Sequence, residues 1–199
     1  MRLPHNETAT SRPAVEIDLD EAKDMFATNL FGVMNINQVF LPQLLLAKGT
    51  TMSVGSVAGH LPLPFYSVYC ASKAALYAYC ESLRVELAPL GVKVIYVQAG
   101  SVRTNLSRGQ THLREDSLFS PISEAFEQRQ EEAAKSGMDP AKFAKILVQR
   151  ILGGHSDVLW MGENAFTVRM LSALEHYLPF RIFPFMFSKL YGLEKLRVQ

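Results

Sequence analysis

Helical and strand-like segments alternate along this chain, and that alternation predicts an α/β fold built on a parallel sheet. Three observations carry the prediction. Residues 67–88 read as a long helix that Pro89 and Gly91 bring to an end. Directly behind it, Val92-Lys93-Val94-Ile95-Tyr96-Val97 is a nearly continuous apolar run, the pattern of a strand covered on both faces. A second helix and short strand precede this pair, and a strand–helix–strand crossover makes parallel neighbours.

Taken in order, Asp18 or Asp20 caps a helix that runs through Phe31 toward Leu46, with Pro42 expected to kink it and Gly49 to terminate it. Residues 50–54 form a short strand, followed by Gly55-Ser56-Val57-Ala58-Gly59 and then the long helix. After the strand of residues 92–97 the polar stretch 107–120 leads into a charged helix over residues 121–136. Asp139-Pro140 supplies an N-cap with proline in the first helical position and opens a helix to about Leu152. Gly153-Gly154 then turns the chain into a last strand, Asp157-Val158-Leu159-Trp160-Met161. With no internal repeat and no dividing linker, residues 1–199 read as one domain that ends in an apolar tail over residues 164–199.

Composition narrows the classes of function. The 199 residues are 48% hydrophobic, enough for a core, and a formal charge of +1 argues against nucleic acid as a partner. Two cysteines, Cys70 and Cys80, without a CxxC pair fit a reduced intracellular setting. Met1-Arg2-Leu3-Pro4-His5-Asn6-Glu7 lacks an apolar signal region, which predicts no secretion and makes Asn6-Glu7-Thr8 a coincidental sequon. The five histidines, His5, His60, His112, His155 and His176, have no metal-ligand spacing, so no metal is expected. The tail Tyr177-Leu178-Pro179-Phe180-Arg181-Ile182-Phe183-Pro184-Phe185-Met186-Phe187 is too short and interrupted to span a bilayer. It either closes an apolar substrate pocket, the preferred reading, or lies on a membrane or lipid-droplet surface, which leaves cytoplasm, endoplasmic reticulum and droplet as candidate locations.

Chemistry concentrates in Tyr69-Cys70-Ala71-Ser72-Lys73, where a helix sets Tyr69 and Lys73 on one face at i and i+4. Free tyrosine titrates near pH ~10, and an adjacent cation lowers that value by stabilising the phenolate. Ser56, at the end of the preceding strand, offers a hydroxyl to a substrate oxygen. Three polar groups then converge on one carbonyl or alcohol.

Gly55-Ser56-Val57-Ala58-Gly59 followed by Tyr69-x-Ala-Ser-Lys73 closely resembles the short-chain dehydrogenase/reductases, whose catalytic Ser, Tyr and Lys share this order and spacing. Asn29, in Phe26-Ala27-Thr28-Asn29-Leu30-Phe31-Gly32, matches the catalytic Asn of that family, which steadies a proton-relay water. Ala99-Gly100-Ser101-Val102-Arg103-Thr104 resembles the turn that contacts nicotinamide, although Ala99 stands where proline is usual. The resemblance implies a Rossmann-like fold, catalytic roles for Asn29, Ser56, Tyr69 and Lys73, and cofactor contacts from Asn29, Tyr69, Lys73, Gly100, Val102 and Thr104. It also implies that residues 107–152 form a substrate lid. A narrower likeness, through Val57-Ala58-Gly59, Leu83-Arg84-Val85-Glu86-Leu87-Ala88-Pro89-Leu90-Gly91-Val92 and Leu178-Pro179 with Gly192-Leu193, is to fungal 1-acyldihydroxyacetone-phosphate reductases, which implies a lipid or secondary-metabolite ketone and NADPH.

One part of the pattern is missing. A dinucleotide fold needs a Gly-rich turn between its first strand and helix, where backbone amides approach the pyrophosphate. The residues before Asn29 are too few for the first strands of the family and their crossover helices, at roughly 30 residues per βαβ unit. The fold expected is therefore the C-terminal half of the parallel sheet flanked by helices. Three functions remain: an NADP(H)-dependent reductase of an apolar or lipid ketone; a nucleotide-independent isomerase, dehydratase or cyclase that uses the same acid–base groups; or an inactive paralogue associated with a full-length relative. Loss of the first strands leaves residues 50–54 as an open edge, which predicts a homo-oligomer or a partner-completed assembly.

Overall fold

The computed structural model describes residues 11–104, 112–154, 157–175, 177–178 and 181–196. Asp18 caps α1 (Leu19–Phe26), its carboxylate accepting from the Asp20 amide at 2.6 Å. The helix passes through a five-residue π turn, Ala27–Phe31, and goes on as α2 (Gly32–Ala47), continuing past Pro42. It ends one residue earlier than the expected glycine. Lys48 takes the left-handed conformation (φ 44°), while Lys48 N–H donates to Leu45 and Gly49 N–H to Leu44, a Schellman closure in which Gly49 is the residue after the turn.

Three strands, β1 (Thr50–Val54), β2 (Lys93–Ala99) and β3 (Val158–Met161), form a parallel sheet in that order, with Met52 opposite Ile95 and Val97 opposite Leu159. The crossover from β1 to β2 is α3 (Ser67–Leu87), whose Leu76, Cys80 and Leu87 pack on Val94 and Tyr96. The other face is covered by α5 (Pro140–Leu152), with Leu147 against Ile95, Val97, Leu159 and Met161. Both faces of β2 are therefore buried, which is why its sequence does not alternate. The strand also reaches two residues beyond the apolar run, to Ala99, and this extension carries it to the site.

The charged helix read at residues 121–136 is α4 (Ser123–Lys135), and Pro121 sits in a 3-10 turn ahead of it. Residues 107–111 of the expected lid lie outside the described residues. In the tail, α6 (Ala165–Glu175) and α7 (Ile182–Leu190) fold back on the domain, and Phe183 and Phe187 are buried with Leu61 and Val168. Pro179 and Phe180 of the tail motif are not among the described residues.

The outer edge of β1 pairs with no strand among the described residues, and Met52 and Val54 there are 39% and 47% exposed. Beside it, Phe31, Ile36, Val39 and Phe40 of the long helix are more than half exposed. That helix, Leu19–Ala47, is long and apolar enough by length and composition to cross a membrane. It nevertheless buries polar ties into the fold, with Asn37 accepting from Thr51 at 2.6 Å and Asn29 donating to Ser72 at 3.0 Å.

Asp139 caps α5 as its sequence requires, accepting from the Lys142 amide at 3.0 Å. Asp139→Ala should cost about 1 kcal/mol in urea unfolding and Asp139→Asn much less, since the amide oxygen still caps. Equal losses in the two variants would show that the Arg103 ion pair at 3.6 Å matters more than the cap.

Candidate active site

The site is assembled where β1 and β2 end. Gly55 N–H donates to Val97 C=O at 2.8 Å and extends the ladder one residue past β1, which delivers Ser56 to the sheet edge. Ser56 caps the 3-10 turn Val57–His60, its Oγ accepting from the Ala58 amide at 3.1 Å. That turn lies directly on α3: a Cβ on Gly59 would meet the Lys73 and Ala74 backbone at 3.1 Å. Only a residue without a side chain lets the two segments approach so closely.

Helix α3 then sets Tyr69 and Lys73 opposite Ser56. Lys73 is buried at 6% exposure, with its Nζ 5.6 Å from the centroid of the Tyr69 ring. The backbone of Lys73 is held as well, because Tyr96, wholly buried on β2, donates its phenol to the Lys73 carbonyl at 3.3 Å. Burial holds the Tyr96 phenol far above its ordinary range, so it is a permanent donor. Its Oη lies where a Cβ on Gly55 would be, 1.7 Å away, and one side chain thus touches both the strand end before Ser56 and the helix at Lys73.

Ser56, Tyr69 and Lys73 line one cavity of about 490 Å³, together with Gly100, Val102 and Thr104 from the turn after β2. Its far wall is α4, whose Phe126, Arg129, Gln130 and Ala133 lie at helical spacing on one face, with Leu63, Phe143 and Tyr191 closing the sides. Gly100 has a local reason to be glycine: a Cβ there would stand 2.1 Å from the Glu163 carbonyl oxygen.

Asn29 is placed differently. It lines a second cavity of about 230 Å³ behind α3, between α2 and β1, and Val54 and Lys73 line both spaces. Asn29 sits in the π turn, 5% exposed, and donates to Ser72 Oγ, which in turn donates to the Tyr69 carbonyl at 2.8 Å. It therefore touches the frame of α3 at Tyr69. Neighbouring Cys70 is pushed up to about 11 by burial, which keeps it a thiol beside Tyr69.

Sequence reasoning passed over Ser11, Tyr66, Tyr96, Arg129 and Tyr191. Two carried a usable signal: Tyr66 stands three residues before Tyr69, at the N-cap of α3, and Arg129 lies three residues after Phe126 on a charged helix. The others are brought in by tertiary packing.

A parallel sheet that ends at Ser56, with the Tyr69–Lys73 helix across from it, brings these three residues to one cavity. The family profile described as short chain dehydrogenase matches residues 5–115, and the chain belongs to that family. It is 35% identical over 188 residues to the short-chain dehydrogenase srdE of Neurospora crassa, which spans 92% of this chain and 63% of that protein. It is also 42% identical over 96 residues to the NADPH-dependent 1-acyldihydroxyacetone phosphate reductase of Schizosaccharomyces pombe, 48% of this chain and 32% of that one. A short-chain dehydrogenase from Streptomyces avermitilis superposes with a TM-score of 0.71 at 26% identity, covering 88% of this chain and 65% of its own. The fold is also that of a Burkholderia cenocepacia short chain dehydrogenase in complex with NADP, at a TM-score of 0.62 and 24% identity, covering 87% and 63%. The chain thus spans under two thirds of the length of the curated relatives and solved structures it matches.

Proposed function

We propose that this chain is the acid–base and substrate half of a nicotinamide-dependent reductase acting on a ketone of an apolar lipid or secondary metabolite. The observation that carries this reading is the single cavity lined by Ser56, Tyr69 and Lys73, by the turn after β2, and by apolar side chains of α4 and α5. Tyr69 gives its phenolic proton to the carbonyl oxygen while Ser56 hydrogen-bonds that oxygen and fixes its direction. Lys73, buried next to the ring, favours the phenolate that remains, and Asn29 holds the helix through Ser72.

The nicotinamide end of a cofactor fits the residues present: Lys73, Ser101, Val102 and Thr104 line the same cavity as Tyr69. Bound there, NAD(P)H supplies the hydride for the carbonyl carbon. The complexed relatives include both NAD and NADP forms, and NADP is our choice on the strength of the NADPH-dependent yeast relative. No Gly-rich turn for the pyrophosphate occurs in this sequence, so the adenosine end must be held by groups beyond those described.

A second reading uses the same three groups, gathered in one cavity, for isomerisation, dehydration or cyclisation without nucleotide. A third reading is association with a second chain, because among the described residues the outer edge of β1 is unpaired and apolar side chains of α2 are exposed beside it. NADPH titration by calorimetry separates the enzyme readings. Saturable binding is expected for the reductase; no binding at millimolar cofactor, alone or with such a partner, overturns it.

A further inference from the structure

Away from Ser56 and Tyr69, the same cavity has a second polar end. Ser11 is 3% exposed and lines the cavity, yet its buried Oγ has no hydrogen-bond partner. It approaches the Tyr66 phenol without reaching hydrogen-bond geometry, and the Arg12 amide, bonded to Phe65 C=O at 2.7 Å, holds it in place. A buried hydroxyl left unmatched is costly, and a ligand oxygen would recover that cost. Tyr66 and Tyr191 flank it, and burial raises both phenols, Tyr191 to about 12, so each is a neutral donor at physiological pH.

The charge at this end is Arg129, on the inward face of α4 and near enough to Tyr191 to offset part of its rise. Its guanidinium reaches Glu132 at 2.6 Å, a half-exposed pair one turn apart on the same helix. Such a pair is worth only a few tenths of a kcal/mol and yields readily to a better-placed anion. The lining also includes the apolar side chains of Leu63, Phe126 and Phe143.

We propose that the cavity takes an amphipathic ketone with an anionic head, a phosphate or a carboxylate, received by Arg129 together with the hydroxyls of Ser11, Tyr66 and Tyr191. Only the position of the carbonyl, at Ser56 and Tyr69, rests on the reductase reading. The apolar middle of the cavity takes the chain between head and carbonyl. Among the described residues Lys73 is the other cation of the lining, but it lies beside the Tyr69 ring, and an anion drawn there would block the carbonyl site.

The test is binding of hexyl phosphate, hexanoate and hexanol to the purified chain by calorimetry, without nucleotide. At least one anion should bind about tenfold more tightly than the alcohol, the factor that corresponds to about 1.4 kcal/mol from one charge-assisted contact. Which anion gains identifies the head. The preference should vanish in Arg129→Gln, persist in part in Arg129→Lys, fall several-fold in Ser11→Ala and survive in Tyr69→Phe. Equal binding of all three probes overturns the proposal, as does a preference that survives Arg129→Gln or is lost only in Lys73→Met. If Arg129→Gln fails to fold by circular dichroism, Ser11→Ala decides, since it removes one oxygen from the cavity and an unchanged preference there counts against the site. Turnover plays no part in this measurement. Retained preference without ketone reduction sinks the reductase reading alone; reduction with equal probe binding sinks this one alone.

Discussion

Tyr69→Phe is expected to abolish turnover, by about 10²–10⁴-fold in kcat, while leaving the unfolding midpoint within about 0.5 kcal/mol of the parent. The variant keeps the ring and its place beside the Lys73 ammonium, and removes only the proton and the oxygen that holds it. Because Tyr69 lines the cavity and the ring is kept, little packing is lost. The loss should fall on kcat, with KM nearly unchanged, since the phenol acts on charge that develops at the carbonyl oxygen and adds little to ground-state binding. Ser56→Ala should cost less, because its Oγ is shared with the Ala58 amide and orients a proton transfer it does not perform. Both enzyme readings need Tyr69 as the acid, whereas an inactive paralogue would show no turnover to lose. A Tyr69→Phe chain that turns over a ketone within about twofold of the parent would remove Tyr69 from the chemistry, and with it the proposal that the reaction is proton transfer at this face of α3.

The parts of the site that were legible in the sequence are those fixed by local geometry. Tyr69 and Lys73 lie on one helix, and Ser56 ends the strand that feeds it, so spacing alone brings them into one neighbourhood. The apolar run at residues 92–97 announced a doubly covered strand for the same reason. What stayed hidden depends on contacts between distant elements. Asn29 could be matched to a catalytic pattern, yet its seat in a π turn behind α3 is set by Ser72, and nothing in its own segment points there. Lys48 adopts the left-handed turn that glycine next door would have taken at lower cost, because the closure of α2 is fixed by the amides of both residues. Tyr96 read as one more strand residue; its phenol matters only because Gly55 and the Lys73 carbonyl arrive at the same point. The polar end of the cavity is built from Ser11, Tyr66, Arg129 and Tyr191, which come from four separate stretches of chain and share no local pattern.

Gly55→Ala is expected to be among the most damaging single substitutions, although alanine adds one methyl group to a strand end that needs no positive φ. The added carbon would lie 1.7 Å from Tyr96 Oη and 1.9 Å from Cζ, well inside contact distance. Tyr96 has no room to retreat. It is fully buried, its ring lies edge to face against Tyr77 at 5.2 Å, and its hydroxyl is bonded to the Lys73 carbonyl. Overpacking of this kind costs about 1–3 kcal/mol, with more when the neighbour is wedged, and urea unfolding should place Gly55→Ala at or above the top of that range. Tyr96→Val alone should also be costly, by about 3–5 kcal/mol, because it empties the space between strand and helix. Combined, the two changes should be less harmful than their sum by about 1–3 kcal/mol, since the methyl group occupies space the ring has left. Tyr96→Phe should give no such relief, because Cζ remains in the path of the methyl group while the bond to Lys73 is lost. Additive losses in the Gly55→Ala/Tyr96→Val pair would refute the wedge. Where the wedge holds, the spacing between Ser56 and Lys73 is set by a tyrosine outside the cavity, and Gly55→Ala should depress kcat through that spacing even at temperatures where the variant remains folded.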